Sequence, residues 1–81
     1  MRRLIVLLAH GSTNPRSAVA THDVARRLAE QLPHDAVRAA FLDRDWPSLP
    51  DAIGRELDRG PVDEVLVVPM FLNNAYHARS D

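Results

Sequence analysis

Leu4-Ile5-Val6-Leu7-Leu8-Ala9 is an unbroken apolar run that stops at His10-Gly11-Ser12. A strand with one wet face alternates apolar and polar side chains, whereas a run without alternation needs cover on both faces. That need points to a parallel sheet between two helical layers, because crossover connections bring helices onto its faces. Val65-Leu66-Val67-Val68-Pro69-Met70-Phe71-Leu72 repeats the pattern late in the chain. A weaker strand is expected over 36–42, where Arg38 interrupts the apolar residues.

Helical spacing fills the intervals. Asn14 is placed to cap a helix whose first residue is Pro15, a position where the missing N–H costs nothing. Thr21, Val24, Ala25, Leu28 and Leu32 then recur on one face, with His22, Asp23, Arg26, Arg27 and Glu30 mainly on the other. This spacing predicts a helix to about residue 32, ended by Pro33-His34-Asp35. Asp43-Arg44-Asp45-Trp46-Pro47 reads as a loop and Ser48 as the cap of a second helix over 49–59. Gly60-Pro61 stops that helix.

The order is β-α-β-α-β. Right-handed crossovers then give a parallel sheet of strand order 2-1-3, with the first strand central and helices on both faces. Open sheets of this kind bind ligands beyond the carboxyl ends of the strands, where strand order reverses. His10 ends the first strand, Asp43 ends the second, and His77 follows the third by a few residues. Three candidate ligands far apart in sequence are thus expected at one edge.

At 81 residues the chain is expected to form a single α/β unit, residues 1–81. A unit this small buries only about 60% of its unfolded surface. The net charge of -1 offers no electrostatic reason to bind nucleic acid or an anionic membrane. There is no Cys, which excludes disulfides, thiolate metal sites and a Cys nucleophile. Any metal would therefore be held by imidazole nitrogen and carboxylate oxygen, donors that suit Co, Ni, Fe or Zn. Met1-Arg2-Arg3 before the apolar run is only superficially like a signal peptide, since the run is shorter than the ~7–15 residues of an h-region. No stretch approaches the ~20 apolar residues of a membrane span, so a cytoplasmic location is expected.

Three segments together resemble the sirohydrochlorin chelatase family, small enzymes that insert cobalt, nickel or iron into sirohydrochlorin-type tetrapyrroles. Leu7-Leu8-Ala9-His10-Gly11-Ser12 with Asn14-Pro15-Arg16 looks like the family's opening strand and metal-binding histidine. Ala40-Phe41-Leu42-Asp43 with Pro47-Ser48-Leu49 looks like its second strand, acidic residue and helix start. Val67-Val68-Pro69-Met70-Phe71-Leu72, then Tyr76-His77 and Asp81, looks like its third strand and second metal histidine. The resemblance implies that His10 and His77 bind a divalent metal, the substrate, in a cleft that also takes the macrocycle. No organic cofactor is implied. Two departures stand out: the acidic position is commonly Glu where this chain has Asp43, and the family's domain continues with a further helix and strand.

The implied chemistry is metal insertion. Two neutral imidazoles hold M²⁺ with coordination positions left open for ring nitrogens, while a carboxylate such as Asp43 accepts a pyrrole proton. Too many protein ligands would trap the ion. Ser12, Asn14 and Arg16 border a helix start that favours anions, and so are candidates to grip a macrocycle carboxylate or, equally, to cap the helix. His22 and His34 are expected to be solvated, and Trp46, Phe71 and Tyr76 to serve either core or macrocycle wall. Other readings are a non-catalytic metal- or tetrapyrrole-binding half-domain, a histidine phosphatase and a Ser hydrolase. A phosphatase of that kind would have Arg where Ala9 stands, and a Ser hydrolase would carry a Gly-x-Ser-x-Gly elbow that is absent here.

The third strand is expected at an open edge although it is the most apolar of the three. An edge of that character invites pairing. Either a homo-oligomer partner or residues beyond Asp81 are expected to cover it.

Overall fold

The computed structural model describes residues 2–70. Five elements follow one another: β1 (Arg3–Ala9), α1 (Pro15–Gln31), β2 (Asp35–Phe41), α2 (Leu49–Arg59) and β3 (Glu64–Pro69). The strands form one parallel sheet in the order β2-β1-β3, as expected. Leu4, Ile5, Val6, Leu7 and Leu8 of the central strand are all buried, which the absence of alternation required.

The register sorts side chains into two cores. Ile5 and Leu7 pair across to Val37 and Ala39, and these four, with Phe41, pack under α1 through Ala25 and the partly buried Ala18, Leu28, Ala29 and Leu32. On the opposite face Leu4, Val6, Leu8 and Ala40 pack against Ala52 of α2, with Leu49 and Ile53 beside it. The helices therefore lie on opposite faces. Val24, expected on the buried side of α1, is 42% exposed. The buried stripe instead centres on Ala25 and Ala29, and the 100° step of the helix carries Val24 out to its margin.

Both helix starts are as the sequence indicates. The Asn14 side chain accepts from the Arg16 N–H at 3.0 Å, and Ser48 Oγ accepts from the Asp51 N–H at 3.2 Å. At the far end of α2, Arg2 donates to the carbonyls of Gly60 and Pro61 at 3.2 and 3.4 Å. A cation is favoured there by the helix dipole and by carbonyls left without an intrahelical partner.

Arg38 breaks the apolar pattern of β2 for a reason the sequence does not reveal. It pairs at 3.0 Å with Glu56 of α2, whose side chain is 2% exposed and also pairs with Arg2. One buried carboxylate thus joins the start of the chain, the outer strand and the second helix. Arg3 likewise pairs with Asp35 at 2.8 Å, tying β1 to β2 at their amino ends.

The helices lie over β1 and β2. Val65, Leu66 and Val67 of β3 remain 37–45% exposed, and β3 is an edge of the described sheet. Met70 extends the pairing with an N–H bond to the Leu8 carbonyl at 2.8 Å. Phe71 and Leu72, expected to continue the strand, lie outside the described residues. Among the described residues no helix is long and apolar enough to cross a membrane.

Candidate functional site

The carboxyl edge of the sheet is built by two loops that close against each other. The β1–β2 ladder continues past both strands, with the Leu42 N–H on the Ala9 carbonyl and the Asp43 N–H on the His10 carbonyl, each at 3.0 Å. Gly11 follows at φ +101, and a Cβ there would lie 1.7 Å from the Asp43 carbonyl oxygen. Only glycine permits this approach and this backbone conformation. His10 therefore sits exposed just past a strand whose middle five residues are buried, held by its own carbonyl and by the neighbour that follows it.

On the β2 side, the Asp45 N–H bonds the Asp43 carbonyl at 2.7 Å across Arg44, whose φ is +68. A two-residue hydrogen bond around a positive φ marks a γ-turn of the rare, strained hand. The turn has two consequences. The Asp43 carboxylate stays 72% exposed, 3.8 Å from the Arg44 guanidinium, while the Asp45 carboxylate reaches back to accept the Ser12 N–H at 3.0 Å. The sequence marks Asp45 only by its place in a loop. The signal available was Asp-x-Asp after a strand, which does not by itself say which carboxylate turns inward.

Ser12 and Asn14 make local bonds. Ser12 Oγ accepts the Asn14 N–H at 3.0 Å, and Asn14 in turn caps α1. Arg16 is exposed in the first turn of α1, beside Val19, Ala20 and Asp23 on the outward stripe of the helix. The structure thus brings His10 and Asp43 to one edge. His77, Tyr76 and Asp81 lie outside the described residues. Among the described residues no three His, Asp or Glu side chains gather as a metal-binding group. His10 and Asp43 carry nitrogen and oxygen donors of the type that suits a divalent first-row ion.

Trp46 belongs to neither core. It is 57% exposed, and the Arg55 guanidinium lies 4.7 Å above its ring. His22 is exposed as expected and stacks its ring at a tilt against Phe41, centroids 5.4 Å apart.

Comparison with known proteins supplies what the edge alone does not. The family model described as CbiX matches residues 4–81. Sirohydrochlorin cobaltochelatases from Methanococcus aeolicus and Methanopyrus kandleri are each 30% identical over 77 residues, which is 95% of this chain and 53% of theirs. A crystal structure from Marinobacter aquaeolei VT8, described as a cobalamin (vitamin B12) biosynthesis CbiX protein, superposes with a TM-score of 0.69 at 33% identity. The match covers 86% of this chain and 55% of that one. The chain spans about half the length of the curated relatives it matches.

Proposed function

Since the chain belongs to the CbiX family, we propose that it acts in the insertion of a divalent metal, cobalt, nickel or ferrous iron, into a sirohydrochlorin-type tetrapyrrole. The observation that carries this reading is the exposed His10 at the carboxyl end of the central strand, fixed by the closure of Gly11 on Asp43. His10 and His77 are the metal ligands in this proposal. The reaction exchanges one M²⁺ for two pyrrole protons, so the site must release the ion as ring nitrogens take it up. Two imidazoles with open positions serve that exchange better than a closed four-ligand cage.

Asp43 accepts one of the two pyrrole protons in this scheme and the other passes to solvent. Its carboxylate is exposed and the γ-turn at Arg44 directs it away from the loop interior, within reach of a ligand that approaches the sheet edge. Arg16 is assigned to a macrocycle carboxylate, with Ser12 and Asn14 holding the helix start that presents it. The chain works as one α/β unit, and the exposed apolar surface of β3 is covered in the active assembly by a second copy or by further polypeptide. The protein is proposed to be cytoplasmic, where its tetrapyrrole substrate is handled without a membrane or nucleic-acid partner.

A second reading follows from the half-length match: the chain holds metal without inserting it. Anaerobic mixing of the protein with sirohydrochlorin and Co²⁺, followed by absorbance spectroscopy, separates the two. Insertion shifts the macrocycle spectrum and is abolished by His10→Ala and by His77→Ala. Cobalt binding lost in the same variants, with no spectral shift in any, supports the second reading. Cobalt affinity unchanged by His10→Ala overturns both.

A further inference from the structure

A cleft of about 170 Å³ runs along the outer flank of β2, bordered by Trp46 and Pro47 at the far end of the loop that begins with Asp43. Arg38, Trp46, Arg55, Glu56 and Arg59 line it, with His22 of α1 beside them. Three guanidiniums face one carboxylate in this space, although the chain as a whole carries a net charge of -1. The carboxylate is already engaged, because Glu56 is shared between Arg38 and Arg2. Among the described residues neither Arg55 nor Arg59 forms an ion pair, and Asp51 and Asp58 of the same helix reach neither of them.

Arg55 and Arg59 stand four residues apart on α2, a spacing at which like charges repel along a helix face. Arg59 in the last turn is favoured by the helix dipole, but Arg55 lies further in and gains nothing from it. Its guanidinium instead lies 4.7 Å above the Trp46 ring, a cation–π contact that holds it over an exposed indole. The result is a small, partly apolar recess with an excess of two positive charges and one aromatic wall.

The geometry points to a binding site for a compact organic dianion with a planar apolar body, a phosphate monoester or a dicarboxylate. The two charges of such a ligand match the unbalanced guanidiniums, and planar guanidinium groups bind phosphate and carboxylate oxygens in pairs. A single ring fits the volume, since a cavity of about 150 Å³ accepts benzene. None of His10, Asp43, Ser12 and Arg16 lines this cleft, so the site uses different residues from the proposed metal-insertion edge and does not rest on that reading.

Trp46 is the only tryptophan, so intrinsic fluorescence reads this cleft directly. Titration of the full chain with phenyl phosphate and, in parallel, with phthalate is expected to give a saturable change with at least one of them. The arm that saturates identifies the oxyanion. Neutral benzyl alcohol is expected to give none, and added salt to weaken the binding. Arg55→Gln with Arg59→Gln is expected to weaken it about tenfold or more, while His10→Ala leaves it unchanged. No saturable change with either dianion, equal binding by the doubly substituted chain, or loss of binding in His10→Ala each overturns the proposal. Circular dichroism of each variant shows whether the fold is retained, and Arg55→Lys with Arg59→Lys, which keeps the charge, is expected to recover part of the affinity.

Discussion

Gly11 lies so close to Asp43 that the space a Cβ would fill is taken by the Asp43 carbonyl oxygen, 1.7 Å from its position. The contact locks the end of β1 to the end of β2 and sets where His10 leaves the sheet. Gly11→Ala must therefore displace one loop and strain a backbone at φ +101. It is expected to cost about 2–4 kcal/mol, from overpacking and the positive φ together. Urea denaturation gives the stability, and a shifted His10 resonance in NMR spectra reports the displacement. An unaltered stability would mean the loops part without cost.

The Glu56 network predicts an asymmetry. Glu56 is 2% exposed, whereas the side chains of Arg2 and Arg38 are 33% and 39% exposed. Arg2→Met with Arg38→Met strands a buried carboxylate and is expected to cost about 3–5 kcal/mol. Glu56→Met leaves two guanidiniums that reach water and is expected to cost only about 1–2 kcal/mol. Denaturation of both variants checks the order, and the reverse order would show that the carboxylate is not the buried partner.

Arg44 holds φ +68 in the γ-turn before Asp45. An L side chain pays about 1–2 kcal/mol for that conformation, and glycine avoids it at a smaller entropic cost. Arg44→Gly is expected to raise stability by about 0.5–1 kcal/mol, and Arg44→Val to lower it. Thermal unfolding of the two variants tests the sign, and a destabilised Arg44→Gly refutes strain at this residue.

On α1, the hydrogen bond from Arg26 holds the Asp23 carboxyl below its ordinary value, with Arg27 adding to the effect against some desolvation. A carboxyl lowered in the folded state stabilises that state above its unfolded pKa, and the contribution disappears as pH falls through the folded value. NMR titration is expected to place the Asp23 midpoint below 3.8 and to move it upward in Arg26→Ala. A midpoint unmoved by that substitution would show that the pair is not formed in solution.

Local chemistry carried much of the fold in advance. The uninterrupted apolar run over residues 4–9 needed cover on both faces, and β1 is central and buried. Asn14 and Ser48 sit before helices whose first N–H groups they bond, an interaction settled within a few residues. His10, Asp43 and the closure at Gly11 were legible to different degrees. Strand ends place His10 and Asp43 at one edge, but no spacing rule says that Gly11 must yield to the Asp43 carbonyl.

The sequence by itself determined the parallel order 2-1-3, both helix caps and the edge at which His10 and Asp43 meet, because periodicity, capping and crossover handedness act over short stretches. Only the tertiary structure decided that Asp45 turns inward to Ser12, that Glu56 is buried between Arg2 and Arg38, and that Arg55 covers Trp46. Two of these pairs, Ser12 with Asp45 and Arg2 with Glu56, join residues 33 and 54 positions apart. Their partners are chosen by how the two loops and α2 come to rest against the sheet, and a charged side chain in a loop or on a helix face carries no local mark of the partner that packing will bring to it.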